Sequence, residues 1–196
     1  MFYMDIPQNI STIGHSGMVA KAAYDIVKLV LANNPAHTVR SDMPTPDVAF
    51  RYGLFHDIGK LYLTSETKYK HPLLGYKIMI EAKQNDIANV CIAHPFPVFD
   101  SDEYIMFYCH DDAAEADNIS QILRYINLNF SIKLIQFCDK ISNDCCYLSL
   151  EQKFDWYSRA YGATRSFIYK NFEILHNIKK EIDLLIGDDV YKVLHV

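Results

Sequence analysis

The chain has 196 residues, of which 50% are hydrophobic and 22% charged, a composition that excludes collagen-like, disordered and disulfide-knot proteins. This length corresponds to one domain, or to one domain with a helical appendage. The formal net charge is −5 and no run of Lys or Arg occurs, which argues against a nucleic-acid polymer as partner. With only 7 Gly and 7 Pro, a turn-rich all-β sandwich is also disfavoured.

The sequence also bears on the compartment of the protein. No segment approaches the roughly 18 consecutive apolar residues of a membrane-spanning helix. The segment Met1–Pro7 lacks a charged region followed by an apolar core, so we expect no secretory signal. The 5 cysteines show no CxxC spacing and lie in apolar surroundings, which predicts buried, reduced thiols in a cytoplasmic protein. A redox pair formed by Cys145 and Cys146 is the alternative.

Hydrophobic residues recur with a helical period almost throughout, which predicts an all-α fold of about seven to nine helices. The predicted helices cover about residues 14–32, 46–59, 73–83, 86–93, 102–116, 119–126, 131–146, 150–161 and 164–186. The residues predicted to begin four of them are Ser11 or Thr12, Thr45 with Pro46, Pro72, and Ser131. The last helix has an apolar stripe that we expect to pack on the rest of the chain, and a homodimer seam is the less favoured alternative.

Histidines occur at two notable places in the predicted helices, one on an apolar helical face and one near a helix end. His15 shares one helical face with apolar residues, which is more typical of a core histidine than of a metal ligand. His56 and Asp57 lie near the end of an apolar helix. Because neighbouring helical residues point about 100° apart, both reach one site only near a helix end, which Gly59 supplies. An imidazole and a carboxylate placed in this way can share a divalent metal.

Three further features concern histidine. His71 and His94 each precede a proline, which disfavours the α conformation and predicts that both lie at helix boundaries. The second His-Asp pair, His110-Asp111, lies in a more polar setting. We interpret it as a surface pair, or as one that supports a site without binding metal.

Asp139 is the most informative single residue. On the predicted helix that begins at Ser131, it shares a face with Ile132 and with Ile135 or Gln136, so a carboxylate points where apolar side chains point. A buried carboxylate is neutralised, paired or bound to a metal, and an ion pair with Lys or Arg is the alternative here.

Four His and two Asp from five separate helices thus form a ligand set for one or two divalent transition metals. Such a set suits Fe, Mn, Co, Ni or Zn rather than Ca.

The order His15 … His56-Asp57 … Asp139 resembles the HD-domain superfamily of metal-dependent phosphohydrolases, whose signature is H…HD…D. The stretch GLFHDIGK, residues 53–60, matches the HDIG(K) core of that superfamily closely. The stretch HPLLG, residues 71–75, resembles the HPxxG element of members that bind two metals, and His94 resembles their next histidine. Residues 134–139 and 159–162 resemble a group of small uncharacterised bacterial HD proteins. The resemblance covers about residues 10–165.

The resemblance implies an HD-domain helical bundle, with residues 1–165 as its core and residues 166–196 as a C-terminal helix packed on it. It implies that His15, His56, Asp57 and Asp139 hold one metal. It also implies that Asp57 bridges to a second metal, held by His71 and His94. Lys60 would steady the charge of the transferred phosphoryl group, and a solvated lysine at a helix end is the alternative.

The function implied by the resemblance is hydrolysis of a phosphoester, with a nucleotide or another small phosphorylated metabolite as substrate. No Gly-Tyr-Pro element follows His94, so cleavage of a cyclic dinucleotide by an HD-GYP enzyme is not favoured. Two alternatives stay open. One is a di-iron HD-fold oxygenase, which uses the same six-ligand pattern, and the other is a non-catalytic module that binds a ligand.

Overall fold

The computed structural model describes residues 6–34, 40–97, 102–161 and 166–196, with only the backbone for residues 6–10 and 161. The predicted all-α fold is confirmed, because this part of the chain contains 10 α-helices and no strand. In chain order the helices are α1 (Ile6–Asn33), α2 (Pro46–Phe55), α3 (His71–Glu81), α4 (Asn85–Ala93), α5 (Asp102–Tyr108), α6 (Ala113–Leu123), α7 (Phe130–Ile141), α8 (Leu150–Tyr161), α9 (Ser166–Ile186) and α10 (Val190–Leu194). Two 3₁₀ turns, Ile58–Tyr62 and Lys68–Lys70, lie between α2 and α3.

The first helix is longer than predicted. It begins at Ile6, so Ser11 and Thr12 lie inside α1 and do not begin it. Pro7 falls in the first turn, where the absence of an N–H leaves no helical hydrogen bond unmade. The hydroxyl of Ser11 donates to Asp144 instead. The predicted end near residue 32 is confirmed to within one residue, because α1 ends at Asn33.

The second helix shapes the region of the His56-Asp57 pair. Thr45 begins it as predicted, since its Oγ1 accepts a hydrogen bond from the N–H of Val48 at 3.3 Å. The predicted continuation to Gly59 is wrong, because α2 ends at Phe55 and a 3₁₀ turn starts at Ile58. This change of helix type falls at His56 and Asp57, so their side chains need not diverge as they would in a continuous helix.

The third and fourth helices agree with the prediction to within about two residues. His71 begins α3 and His94 follows α4, so both lie at helix boundaries as predicted. The expectation that they avoid the α conformation is wrong, since φ and ψ are −61° and −32° at His71 and −59° and −36° at His94. At His94, the backbone N–H donates to Val90 O at 2.9 Å, and this helical bond favours the α conformation despite the following proline.

The segment 102–126 breaks at a different place from the prediction. Residues 109–112 separate α5 from α6, and His110 and Asp111 adopt left-handed conformations with φ of 53° and 63°. Asp112 then begins α6, because its Oδ1 accepts from the N–H of Glu115 at 3.2 Å. Short polar residues tolerate the left-handed region, so His-Asp-Asp supplies a turn without glycine.

The boundaries of α7 correct two predictions. Asn129, not Ser131, begins the helix, since its Oδ1 accepts from the N–H of Ile132 at 3.0 Å. The helix ends at Ile141, not at residue 146, so Cys145 and Cys146 lie in the following loop. Their predicted burial is wrong, as both thiols are exposed, whereas the other three cysteines are buried as predicted.

The C-terminal helices cover one side of α1 and α7. The predicted helix α8 is confirmed, and the predicted start of α9 at residue 164 lies outside the described residues. The apolar stripe of α9 is buried within this chain, with Phe172 and Leu175 among its core residues. The sequence analysis missed α10, whose 5 residues are too few to show a helical period. Among the described residues, no helix is long and apolar enough to span a bilayer.

Candidate metal centre

The six predicted ligand side chains meet at one place, although they come from widely separated parts of the chain. They form two clusters that share Asp57, and within each cluster the ligand atoms lie within 4.8 Å of one another. The first cluster contains His15, His56, Asp57 and Asp139, and the second contains Asp57, His71 and His94. Helix α1, the end of α2, the start of α3, the end of α4 and helix α7 each contribute.

The first cluster brings two imidazoles against two carboxylates. His15 Nε2 lies 2.9 Å from Asp139 Oδ1 and 3.7 Å from Asp57 Oδ2. His56 Nε2 lies 3.3 Å from Asp57 Oδ2 and 3.5 Å from Asp139 Oδ1. His56 and Asp57 are fully buried, whereas 16% of the His15 side chain and 14% of the Asp139 side chain are exposed. One side of the cluster is therefore open to solvent.

The second cluster is buried on the other side of Asp57. Asp57 Oδ1 lies 3.0 Å from His71 Nε2 and 3.3 Å from His94 Nε2. The two imidazole Nε2 atoms are 3.2 Å apart. One carboxylate oxygen of Asp57 thus points to each cluster, which is the arrangement that a bridging carboxylate needs.

Backbone carbonyls fix the orientation of three imidazoles in the same way. Nδ1–H donates to the carbonyl three residues earlier in the chain at each of His56, His71 and His94, at 2.7, 2.8 and 2.9 Å respectively. Each Nε2 then faces the site. A hydrogen bond at one ring nitrogen selects the tautomer that leaves the other nitrogen free to bind a metal.

Several polar atoms in the two clusters are buried without a hydrogen-bond partner, and this suits the binding of a divalent cation. In the described part of the chain, His56 Nε2 and Asp57 Oδ1 are buried and have no hydrogen-bond partner. At 3.2 Å, the facing Nε2 atoms of His71 and His94 bring two lone pairs together. Unmet buried polar atoms destabilise a protein by about 1–3 kcal/mol each, and a cation between them removes that penalty. The two clusters could therefore each hold a metal ion.

Metal ligands of these types bind as an ionised carboxylate and neutral imidazoles, and the side chains of the second cluster have these charge states. Burial alone would raise the pKa of Asp57, but the positive charges of His56 and Lys60 outweigh burial and hold that pKa well below its usual range. Burial lowers the pKa of His71 to about 4, with a further contribution from the charge of Lys60. Burial likewise lowers the pKa of His94. The carboxylate is therefore ionised and both imidazoles are neutral near pH 7.

His56 differs from the other two imidazoles. Burial lowers its pKa, but the carboxylates of Asp57 and Asp139 outweigh burial and raise the pKa to about 10. Because a raised pKa means that the proton stays bound up to that pH, His56 carries a proton at neutral pH when no metal is bound. A metal must displace this proton to reach Nε2.

Metal binding at the first cluster is therefore expected to release about one proton near pH 7. Below the pKa of about 10, each unit of falling pH should weaken metal binding about tenfold. Calorimetric titration with Mn²⁺ in two buffers of different ionisation enthalpy measures the proton count. Equal heats in the two buffers would contradict this expectation.

Both clusters lie against a cavity of about 920 Å³, which we call the main cavity. Lys60 borders it and donates from Nζ to Asp57 Oδ2. Its side chain is 18% exposed and its ammonium pairs with Asp57, so the alternative of a solvated lysine at a helix end does not describe it. Lys68 and Lys140 also border the cavity, which puts positive charge around the two carboxylates.

The sequence analysis missed Lys140. It follows Asp139 directly, its Nζ lies 4.0 Å from Asp139 Oδ2, and it donates to the hydroxyl of Tyr157 at 3.3 Å. Its adjacency to Asp139 is the one signal that could have drawn attention to it. The pair His110-Asp111 is exposed and lies outside both clusters, in keeping with its interpretation as a surface pair.

No protein-family model, no curated protein and no solved structure matches the chain. The likeness to the HD-domain superfamily therefore depends on the motif residues alone.

Proposed function

We propose that the protein is a metal-dependent phosphohydrolase that cleaves a phosphoester of a nucleotide or of another small phosphorylated metabolite. One observation supports this most strongly. The carboxylate of Asp57 lies between two histidine-rich clusters beside a cavity that lysines also border. A pair of divalent cations, when bound at such a site, supplies an activated water and neutralises phosphate oxygens.

The proposed ligands follow from the two clusters. His15, His56, Asp57 and Asp139 would hold one metal, and Asp57 with His71 and His94 would hold the second. Four imidazoles with two carboxylates favour Fe, Mn, Co, Ni or Zn over Ca or Mg, which prefer oxygen ligands. The carbonyls that accept from the Nδ1–H groups keep three of the imidazoles aimed at the site before any metal binds.

The lysines are proposed to act on the substrate. Lys60 bonds to Asp57 and borders the main cavity, so its ammonium lies where the charge of a phosphoryl group would develop. Lys140 lies on the Asp139 side and holds a second positive charge there. Both cations also favour entry of an anionic substrate into a site that contains two carboxylates.

The proposal includes a cytoplasmic location. All five cysteines, each of which lies in the described part of the chain, are free thiols. Free thiols are typical of reducing compartments.

The proposal is tested with purified protein that has been stripped of metal and then supplied with Mn²⁺, Co²⁺ or Fe²⁺. We expect release of phosphate or of a phosphorylated product from a panel of nucleotides and p-nitrophenyl phosphate. The His56→Ala variant, which removes an imidazole from the first cluster, should be inactive. The assay is run without O₂, so an oxygenase would give no turnover. Absence of hydrolysis with every metal, or equal rates in wild type and His56→Ala, would contradict the proposal.

Replacing Lys60 with Met is expected to lower kcat about a hundredfold, because it removes a charge that is aimed at the phosphoryl group. Metal content should be retained, since no proposed ligand changes. The matched control is Lys21→Met on α1, whose ammonium is mostly exposed and pairs with Asp25. Steady-state kinetics and metal analysis on both variants check this prediction. A Lys60→Met rate equal to that of wild type would contradict it.

A further inference from the structure

A proline follows His94, and its position in the chain affects the carbonyl that orients this imidazole. His94 Nδ1–H donates to Cys91 O at 2.9 Å. In an α-helix that carbonyl would accept from the N–H four residues later, but Pro95 occupies this position and proline has no N–H. The backbone at His94 is helical, with φ of −59° and ψ of −36°, so an N–H at residue 95 would point towards Cys91 O. The proline therefore leaves this carbonyl to the imidazole.

The same relation recurs at His71, at the start of α3. Its Nδ1–H donates to Lys68 O at 2.8 Å, and Pro72 lies four residues after Lys68. The backbone N–H of His71 also donates to Lys68 O. These two donors fill both lone pairs of the carbonyl oxygen. An N–H at residue 72 would be directed at the same oxygen, because the backbone at His71 is helical, and it would compete with the imidazole.

The third oriented imidazole obtains its acceptor without a proline. His56 Nδ1–H donates to Gly53 O, a carbonyl in the last turn of α2, which ends at Phe55. The last carbonyls of an α-helix have no helical N–H partner. All three acceptor carbonyls thus lie where helical hydrogen bonding is interrupted, either by the end of a helix or by a proline.

The turn that carries His94 is attached to α7 without the use of the proline nitrogen. Gln136 on α7 is fully buried and donates from Nε2 to Ala93 O at 2.9 Å and to Phe96 O at 3.1 Å. These two bonds hold the turn on both sides of the His-Pro pair. We therefore expect Pro95→Ala to keep this attachment and to change mainly the hydrogen bonding of the imidazole.

We propose that Pro72 and Pro95 are positioning residues for the second cluster. Each proline withholds an N–H from the carbonyl that accepts from the preceding imidazole, and thereby keeps Nε2 of that imidazole aimed at the site. A backbone N–H at either position would compete for the carbonyl and let the ring rotate or change its tautomer. The proposal rests on the proposed function only for the role of these imidazoles as metal ligands, since the orientation of the rings is a property of the protein without metal.

The tautomers of the two imidazoles test the proposal directly. We would record ¹⁵N NMR spectra of the full-length, metal-free protein near pH 7, where the lowered pKa of each imidazole keeps it neutral. In wild type, His71 and His94 should both carry their proton on Nδ1. In Pro72→Ala and in Pro95→Ala, the histidine before the substitution should show a mixture of both tautomers, and the other histidine should stay unchanged. A general loss of packing would instead alter both histidines.

Two controls separate the missing N–H from the shape of the proline ring. Lactic acid in place of Pro95 has the methyl group of alanine but an ester oxygen instead of the N–H, so it should keep the wild-type tautomer. Pro46→Ala changes the proline in the first turn of α2, which follows a threonine and not a histidine, and it should leave both imidazoles unchanged. An ester variant that behaves like Pro95→Ala would overturn the proposal.

The affinity for metal measures the consequence for the site. Each alanine variant is expected to bind the second Mn²⁺ about tenfold more weakly than wild type, as is typical when a ligand histidine loses the partner that orients it. The first Mn²⁺ should bind as in wild type, because neither proline precedes or follows a residue of the first cluster. Equilibrium dialysis against Mn²⁺ measures both affinities. Wild-type affinity for two Mn²⁺ in both alanine variants would contradict the positioning role.

The outcomes separate this proposal from the proposed function. Because the tautomers are measured without metal or substrate, a protein that hydrolyses nothing can still show the predicted change, and an active hydrolase can fail to show it. Wild-type tautomers in both alanine variants would overturn the proposal, as would a wild type in which either proton lies on Nε2. If one alanine variant does not fold, as judged by circular dichroism, the other decides.

Discussion

Replacing Asp57 with Asn is expected to remove metal from both clusters and to reduce hydrolysis roughly a thousandfold or more. No other side chain belongs to both clusters among the described residues. The amide keeps the size of the carboxylate but loses its charge, and it offers only one oxygen where the clusters use two. The measurements are metal content by elemental analysis and the initial rate of phosphoester hydrolysis.

The chain offers a matched control for this change. Asp111 also follows a histidine, but it is exposed and lies outside both clusters. Its left-handed backbone, with φ of 63°, is one that Asn tolerates well. Asp111→Asn should therefore keep the wild-type metal content. Two metals retained in Asp57→Asn would contradict the role of Asp57 as the shared ligand.

Replacing Gly59 with Ala is expected to lower the free energy of unfolding by about 3 kcal/mol and Tm by roughly 10 °C. A Cβ at Gly59 would lie 2.3 Å from the carbonyl oxygen of His71 and 2.8 Å from the nitrogen of Gly75. Both neighbours are backbone atoms, so the 3₁₀ turn and α3 must move apart. That movement would also separate Asp57 from His71, and we expect the second cluster to bind metal more weakly. Thermal unfolding followed by circular dichroism measures the effect.

Gly17 is the control for the Gly59 substitution. It lies within α1, and a Cβ at that position meets no atom within 4 Å. Gly17→Ala should therefore stabilise the protein by about 0.5–1 kcal/mol, as expected for alanine in a helix interior. If Gly59→Ala unfolds at the same temperature as wild type, the close approach of the turn to α3 does not hold the two elements in place.

Five of the six residues in the two clusters have a local signal in the sequence, whereas His15 taken alone is more typical of a core histidine and was selected through its order with the other ligands. His71 and His94 precede prolines, and Asp139 is a carboxylate on an apolar helical face. The structure brings these residues together with His15 and His56-Asp57, and their role as metal ligands is part of the proposed function. Their grouping around Asp57 could not be predicted from periodicity, because it depends on how five helices pack against one another, namely α1, α2, α3, α4 and α7.

Some helix boundaries were predicted at the wrong residue because the sequence pattern did not distinguish the alternatives. Ser131 and Asn129 are both good residues to begin a helix, and spacing alone does not choose between them. The break at residues 109–112 was missed because His110 and Asp111 adopt left-handed conformations without glycine.

Elemental analysis of the reconstituted protein, on wild type and His71→Ala in parallel, tests the central claim most directly. Removal of the imidazole of His71 leaves the first cluster intact and takes one ligand from the second. We predict about two equivalents of a divalent transition metal per chain in wild type and about one in the variant. The absence of bound metal from wild type after reconstitution, or the same metal content in both proteins, would contradict a centre built on two clusters that share Asp57.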